Sequence, residues 1–438
     1  MKKYGKCCLL LVMVTCVILG LAGCAEEELL SEVPKDFSVS NVVESSVPSE
    51  ESIGTEQFVP ETETEELNPV GTEGLKETKP SETEAEETKP SETAEAKTSE
   101  EETGYCYSIL NETEQLWYRN IKKALFEDKK VQLSKKGLSA GMDEEDIDRI
   151  YNCVMNDYPE LFYVEGYQYG LYTQGETTIA IEFSGTIPLS DEERAQKKNE
   201  IDQKVEILLA GISENASDYD KVKYVYETVI NHTDYVLDAP DNQNMYSVFV
   251  NGKSVCIGYA KASQYLLKEL GVDCTLVRGK VNGQTHAWNL VKIDGEYYYF
   301  DTTWGDASYF TNIQAQENLN YFISYDYLCI TTEQLLKTHH PDETVPMPDC
   351  TATSANYYVR ESMVFTEFDR DRIAGMIQTA KNTGAGEITI KCMSAECLAE
   401  MKRILLEEQV IFELLGISDG TLSYNCNEEQ LSLTIWLP

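Results

Sequence analysis

Apolar residues are spaced in several different ways along this chain of 438 residues. Residues 7–19 are almost continuously apolar, residues 25–104 are polar without a period, and from Tyr105 onward apolar positions recur at helical or alternating spacing. Leu116, Ile121, Leu125 and Phe126 mark one face of a helix over 111–128, with Asn111 as its cap. A second helix is predicted over 143–157, stopping before Pro159, followed by β-like stretches at 161–172 and 177–183 with a turn at Gly175 between them. Ser190 with Glu193 makes a capping box that opens a charged helix reaching about residue 212. Val222, Val225, Tyr226 and Val229 give the apolar face of a further helix over 217–232.

Alternation then returns. A helix over 261–270, with Leu266, Leu267 and Leu270 on one face and Gly271 after it, precedes strands at 272–278, 285–293 and 296–304. The last two strands are joined by Asp294-Gly295, a pair that favours a type I′ hairpin turn. In that register Ile293 faces Glu296, Trp288 faces Asp301 and His286 faces Thr303. His286 and Asp301 are then diagonal neighbours on one face, with Cα atoms ~7–8 Å apart. A slip of one residue would put them on opposite faces. Beyond lie a strand or bridge at 320–326, a short helix at 331–336 and a proline-marked stretch with Pro341, Pro346 and Pro348. The remainder reads as strand 357–366, helix 369–379, strand 387–391, helix 395–407 and strands 422–426 and 431–437. That alternation suggests a small two-layer α/β domain, and it carries no readable motif.

Charge divides the chain further. The net charge is −40, from 76 acidic and 36 basic residues, and residues 25–104 hold 24 of the acids against five lysines. Acidity on this scale argues against binding nucleic acid through phosphates and against adhesion to an anionic membrane surface. In 25–104, Glu, Thr, Ser and Pro predominate, and the run 77–83 recurs as 87–93. Such a tract buries too little apolar surface to offset its ordering entropy, which predicts a disordered tether with a contour limit of roughly 260 Å. Ahead of it, Lys2, Lys3 and Lys6 precede the apolar run as in a secretory signal. Leu21-Ala22-Gly23-Cys24 resembles the bacterial lipobox, which implies lipidation at Cys24 and anchoring of an exported protein to the outer face of the cytoplasmic membrane.

Chemistry concentrates in 245–306. Cys256 lies at or just before a helix N-terminus, where the macrodipole and unpaired N–H groups favour a thiolate and can hold an oxyanion. A small buried core cysteine is the plainer alternative. A thiolate, an imidazole that carries its proton and a carboxylate that orients the imidazole form a set suited to acyl transfer. The blocks Val255-Cys256-Ile257-Gly258-Tyr259-Ala260, His286-Ala287-Trp288-Asn289 and Tyr299-Phe300-Asp301-Thr302-Thr303-Trp304 resemble, in order and spacing, those of the bacterial transglutaminase-like superfamily. The resemblance implies an α+β, papain-like core with Cys256 as nucleophile, His286 as base and Asp301 as orienting acid. Trp288 and Trp304 are read as packing residues in preference to walls of the acyl site.

The superfamily spans cross-linking acyltransferases, thiol proteases, amidases and non-catalytic scaffolds. The expectation is therefore a surface enzyme acting on a protein or cell-wall peptide amide, with hydrolysis favoured over amine transfer. A non-catalytic envelope binding module is the alternative. No cofactor is implied. No Cys-x-x-Cys or His-x-x-x-His spacing suggests a metal, no loop suggests calcium, and His232, His339 and His340 are assigned surface or packing roles. Eight cysteines besides Cys256 follow Cys24, and the sequence leaves open whether they pair. The expected organisation is signal peptide 1–23, tether 24–104, α/β lead-in 105–210, catalytic domain 211–338, linker 339–354 and accessory α/β domain 355–438.

Overall fold

The computed structural model describes residues 41–44, 104–174, 177–306, 322–417 and 421–438. Cys24, the signal segment, the turn read at Gly175 and all of the expected tether except Gly104 and four residues at 41–44 lie outside the described residues. Those four form strand β1 (Asn41–Glu44).

The first layer contains α1 (Tyr105–Ser108), α2 (Glu112–Glu127), β2 (Val131–Gln132), α3 (Lys135–Ser139), α4 (Glu144–Asp157), β3 (Gly166–Gln174) and β4 (Thr177–Thr186). Asn111 and Asp143 close capping boxes on α2 and α4. The three strands pair antiparallel in the order β2-β4-β3 over a core that includes Trp117, Tyr118, Ile121, Ile150 and Phe183. The strand expected from 161 begins only at Gly166, because two turns intervene, closed by Leu161 N–H to Tyr158 O and Val164 N–H to Leu161 O.

At the end of α4 the buried Asp157 carboxylate gathers four donors. Oδ1 lies 3.1 Å from Cys106 N and 3.0 Å from Thr275 Oγ1; Oδ2 lies 3.0 Å from Tyr107 N and 2.8 Å from Tyr118 Oη. The two amides open α1, and Thr275 belongs to the central sheet described next. One buried side chain thus ties the lead-in to the middle of the molecule.

The central layer runs through α5 (Asp191–Leu209), α6 (Asp218–His232), β5 (Asp234–Tyr235), a π-helical turn at Ser247–Asn251, β6 (Lys253–Ser254) and α7 (Cys256–Glu269). It continues through β7 (Cys274–Val281), β8 (Gln284–Ile293), β9 (Glu296–Phe300), α8 (Thr302–Gly305), α9 (Thr332–Leu335) and β10 (His339–Pro341). The sheet is antiparallel in the order β10-β7-β8-β9. Tyr226, Phe249, Tyr259, Leu266, Val291 and Phe300 belong to the core beneath it. Both hairpin turns use left-handed pairs: Asn282 and Gly283 at φ 51° and 80°, Asp294 and Gly295 at 52° and 89°. Ile293 faces Glu296 as predicted, and the register holds back to Asn289 opposite Phe300.

There the prediction departs from the structure. The strand expected to reach 304 stops at Phe300, since Asp301 Oδ1 accepts the amides of Thr303 at 2.8 Å and Trp304 at 3.1 Å and turns the chain into α8. The stretch read as a linker from 339 begins instead with β10, a short edge strand on β7.

The C-terminal layer comprises α10 (Tyr357–Arg360), β11 (Val364–Phe365), α11 (Arg370–Thr383), β12 (Glu387–Cys392), α12 (Ala395–Lys402) with a π-helical turn at Arg403–Glu407, α13 (Val410–Leu415), β13 (Thr421–Asn427) and β14 (Ser432–Trp436). Residues 357–366, expected as one strand, are a helical turn followed by two strand residues. Strand order is β1-β13-β14-β12-β11, with only β11 and β12 parallel. β1 adds to the outer edge of β13, Asn41 opposite Tyr424, so a short β-prone run inside the expected tether completes this sheet. Buried Asp326 accepts from Asn427 Nδ2 at 2.9 Å and Ser432 Oγ at 2.7 Å, joining this layer to the central one.

Candidate active site

Cys256 is the first residue of α7, and Val255, its N-cap, offers no side-chain cap. With no acidic residue in the first turn, the helix start leaves its amides and its positive dipole end to act on the thiol. The residues after Cys256 fix this geometry. At Gly258 a Cβ would lie 1.9 Å from Ser254 Oγ and 3.1 Å from Asn242 O, so only glycine admits the close approach of those segments. The Tyr259 hydroxyl reaches Thr233 O and Asp306 Oδ2, both at 2.7 Å. Asn289 Nδ2 donates to Ala260 O at 3.0 Å and so bolts β8, which carries His286, onto the helix that carries Cys256.

His286 and Asp301 meet. Nε2 of His286 lies 2.6 Å from Asp301 Oδ2, and both side chains are buried. An ionised carboxylate only accepts, so the imidazole donates from Nε2 and Nδ1 is left for the thiol. Burial alone would discharge the ring, but the Asp301 charge, the neighbouring Cys256 and the hydrogen bond to Asp301 outweigh it and raise the pKa to about 10. For Asp301, burial works against ionisation and is overcome first by His286 and then by His339, which hold the carboxyl far below its ordinary range. No thiol–imidazole contact of regular hydrogen-bond geometry forms among the described residues. The arrangement is therefore a tight His–Asp pair with the thiol beside it, not a closed chain of three.

The structure gives His339, read from the sequence as a surface or packing residue, a polar contact at the site. His339, at the start of β10, is fully buried, and its Nε2 lies 3.1 Å from the same Asp301 Oδ2. Trp288 and Trp304 pack around the two imidazoles: Trp288 stacks on His286 with centroids 6.0 Å apart, and each indole lies 5.0 Å from the His339 ring. Both tryptophans are thus buried packing residues. His339 had no local signal, since its partner is 38 residues away and a three-residue strand shows no period.

Family comparison agrees with this geometry. Residues 208–302 match the family model of the transglutaminase-like superfamily. This segment is a transglutaminase-like domain. Kyphoscoliosis peptidase of Mus musculus is 27% identical over 113 residues, which span 22% of this chain and 17% of that protein. The Homo sapiens protein is 27% identical over 127 residues, 25% of this chain and 19% of that one. This chain therefore spans less than a fifth of the length of those relatives. Among solved structures, the periplasmic domain of TgpA from Pseudomonas aeruginosa is 15% identical over 35% of this chain and 68% of that chain, with a TM-score of 0.21.

Within the transglutaminase-like domain and just beyond it, the ligand atoms of His286, Asp301 and His339 lie within 4.8 Å of one another, a set of types that could hold a cation. The spacing fits hydrogen bonding better. Tetrahedral zinc with bonds of ~2.0–2.1 Å would keep its ligand atoms about 3.3 Å apart. The observed 2.6 Å and 3.1 Å are donor–acceptor distances. All nine cysteines from Cys106 onward are free thiols, so the described structure contains no disulfide.

Proposed function

We propose that the transglutaminase-like domain is a thiol acyl-transfer site that acts on protein or cell-wall peptide amides. The observation that carries this reading is the His286–Asp301 hydrogen bond beside a cysteine at an uncapped helix start. The reaction runs through a thiolate beside the His286 imidazolium, the ring form that the Asp301 carboxylate favours. The thiolate attacks the amide carbonyl carbon, and the Cys256 N–H faces the resulting oxyanion. The imidazolium gives its Nδ1 proton to the departing amine, the C–N bond breaks and a Cys256 thioester remains. Water or a second amine then loses a proton to His286, attacks the thioester and releases the thiolate. Hydrolysis is the favoured second half.

The exported setting belongs to the same proposal: a chain anchored through lipid on Cys24 meets peptide amides at the envelope. A non-catalytic binding module on this fold is the competing reading, and the observation in its favour is that no regular thiol–imidazole hydrogen bond forms. Incubating the full chain with labelled amine and with candidate wall peptides, then reading products by mass spectrometry, separates cross-link, hydrolysis and no reaction. Absence of any Cys256 adduct across these substrates would favour the binding module.

A further inference from the structure

Asp301 accepts four hydrogen bonds, which fills its capacity. Oδ1 takes the two α8 amides, and Oδ2 takes both imidazoles. We propose that His339 is a positioning residue for the acyl-transfer site, a neutral imidazole whose Nε2–H pins the Asp301 carboxylate so that it in turn pins His286. The inference rests on the reading of Cys256, His286 and Asp301 given above.

The other nitrogen of His339 decides its state. Thr338 Oγ1 lies 2.7 Å from Nδ1. Because Nε2 must donate to the carboxylate, Nδ1 is an acceptor for the threonine hydroxyl when the ring is neutral. Burial favours that neutral form, and the nearby His286 and His340 oppose a second positive charge, while Asp301 works the other way. One carboxylate therefore serves two imidazoles in different roles: His286 shares its charge, and His339 orients it.

The fold is arranged to bring His339 there. β10 crosses so close to β7 that a Cβ on Gly279 would lie 2.2 Å from His340 O and 2.6 Å from the Trp288 ring. Gly279 faces His286 on β8 and Pro341 on β10, so the glycine lies between the strands that carry the two imidazoles. The approach to β10 is held from the C-terminal layer: Lys337 Nζ donates to Glu429 O at 2.8 Å, and Gln430 Nε2 donates to Gln334 O at 3.0 Å. The remaining titratable groups around the cluster are Cys256 from α7, Tyr226 from α6, Tyr327 from the segment before α9, and His340 on β10 itself. Cys256 and His286 carry the proton the proposal concerns, and Tyr226 and Tyr327 have their pKa pushed up by burial and stay neutral.

The test uses the full chain and the pH dependence of iodoacetamide alkylation at Cys256, resolved from the other cysteines by peptide mass spectrometry. Its upper inflection marks loss of the His286 proton. His339→Phe keeps an aromatic ring but removes the donor; His339→Gln loses the ring but keeps a donor. A positioning role predicts that H339F lowers the upper inflection by about one pH unit or more, because a less constrained Asp301 holds the imidazolium less well. H339Q keeps the wild-type inflection, even at a lower melting temperature. A packing role predicts no shift for H339F, or equal shifts for both, and either result overturns the inference. His339→Leu gives the same donor loss if the Phe variant does not fold. His286→Ala separates the two levels of the argument. A wild-type profile in H286A would defeat the thiol–imidazole reading itself. An altered profile in H286A together with an unshifted H339F would defeat only the role of His339.

Discussion

Asp157 and Asp301 are both buried, both receive four hydrogen-bond donors, and both spend two of those places on the first amides of a short helix. Their remaining partners differ. Asp157 faces the hydroxyls of Tyr118 and Thr275, and Asp301 faces His286 and His339. Burial wins at Asp157 and raises its pKa despite the four bonds, while the imidazoles win at Asp301 and depress it. The number of hydrogen bonds is thus a poor guide to the charge of a buried carboxylate. A partner that can itself carry opposite charge decides it, and that difference separates a structural clasp from a candidate reaction centre.

Substitutions should divide along the same line. The largest expected effect is Asp301→Asn, which leaves His286 without its charge partner and lowers labelled-amine or peptide turnover about 10⁴-fold while the chain stays folded. Asp157→Asn should behave in the opposite way. An amide cannot accept from all four donors, so urea unfolding should show a loss of ~3 kcal/mol, with Cys256 alkylation of the folded fraction unchanged.

Next come two glycines. At Gly104 a Cβ would lie 2.3 Å from Asp157 Oδ2, and at Gly279 it would meet the β10 backbone. Each Gly→Ala change should cost about 1–3 kcal/mol in urea unfolding, and only Gly279→Ala should also move the upper inflection of Cys256 alkylation. Equal behaviour of the two would erase the distinction between the regions.

The smallest effect is a pair of opposed slopes. Asp301 has a folded pKa below its unfolded value of 3.8, so its stabilisation is present above that value and is lost as pH falls toward the folded pKa. Asp157 has a folded pKa above 3.8, so the folded state binds the extra proton and its stabilisation fades as pH rises through the folded pKa. Between about pH 3 and neutrality, the stability lost in Asp301→Asn should therefore grow with pH, and that lost in Asp157→Asn should shrink. Urea midpoints across this range give both slopes, and slopes of one sign would contradict the assignment. For His286, raised from 6.5 to about 10, stabilisation is complete below about pH 6.5 and is lost as pH climbs through 10.

What could be read in the sequence was local. Asn111 and Ser190 announce helix starts, and both are capping boxes in the structure. Asp294-Gly295 sets the hairpin register because left-handed φ at both turn residues matches the twist of the strands. The end of β9 was misread although its signal was present: Asp before Thr-Thr-Trp is a helix cap, yet Tyr and Phe runs ahead of it suggested that the strand continued. Tyr357 to Thr366 failed for the same reason, aromatic and β-branched residues outweighing the helical turn that tertiary contacts impose. The helix Val410–Leu415 was not anticipated. The partners of Asp157, Thr275 among them, and His339 were illegible for another reason: each contact joins distant segments, and neither periodicity nor turn chemistry encodes such a meeting.

That distance bears on how the site assembles. His286 and Asp301 are 15 residues apart and are brought together when a two-residue turn zips a hairpin, whereas His339 must close a span of 38 residues from Asp301. Closure entropy grows only logarithmically, so the longer span adds ~0.8 kcal/mol to the shorter one. A hydrogen bond to a charged group contributes about 1.5–3 kcal/mol. The remote histidine is thus thermodynamically inexpensive to recruit but late in order: the hairpin pair belongs to fast, low-contact-order folding, and the third imidazole arrives only once β10 has found the edge of β7.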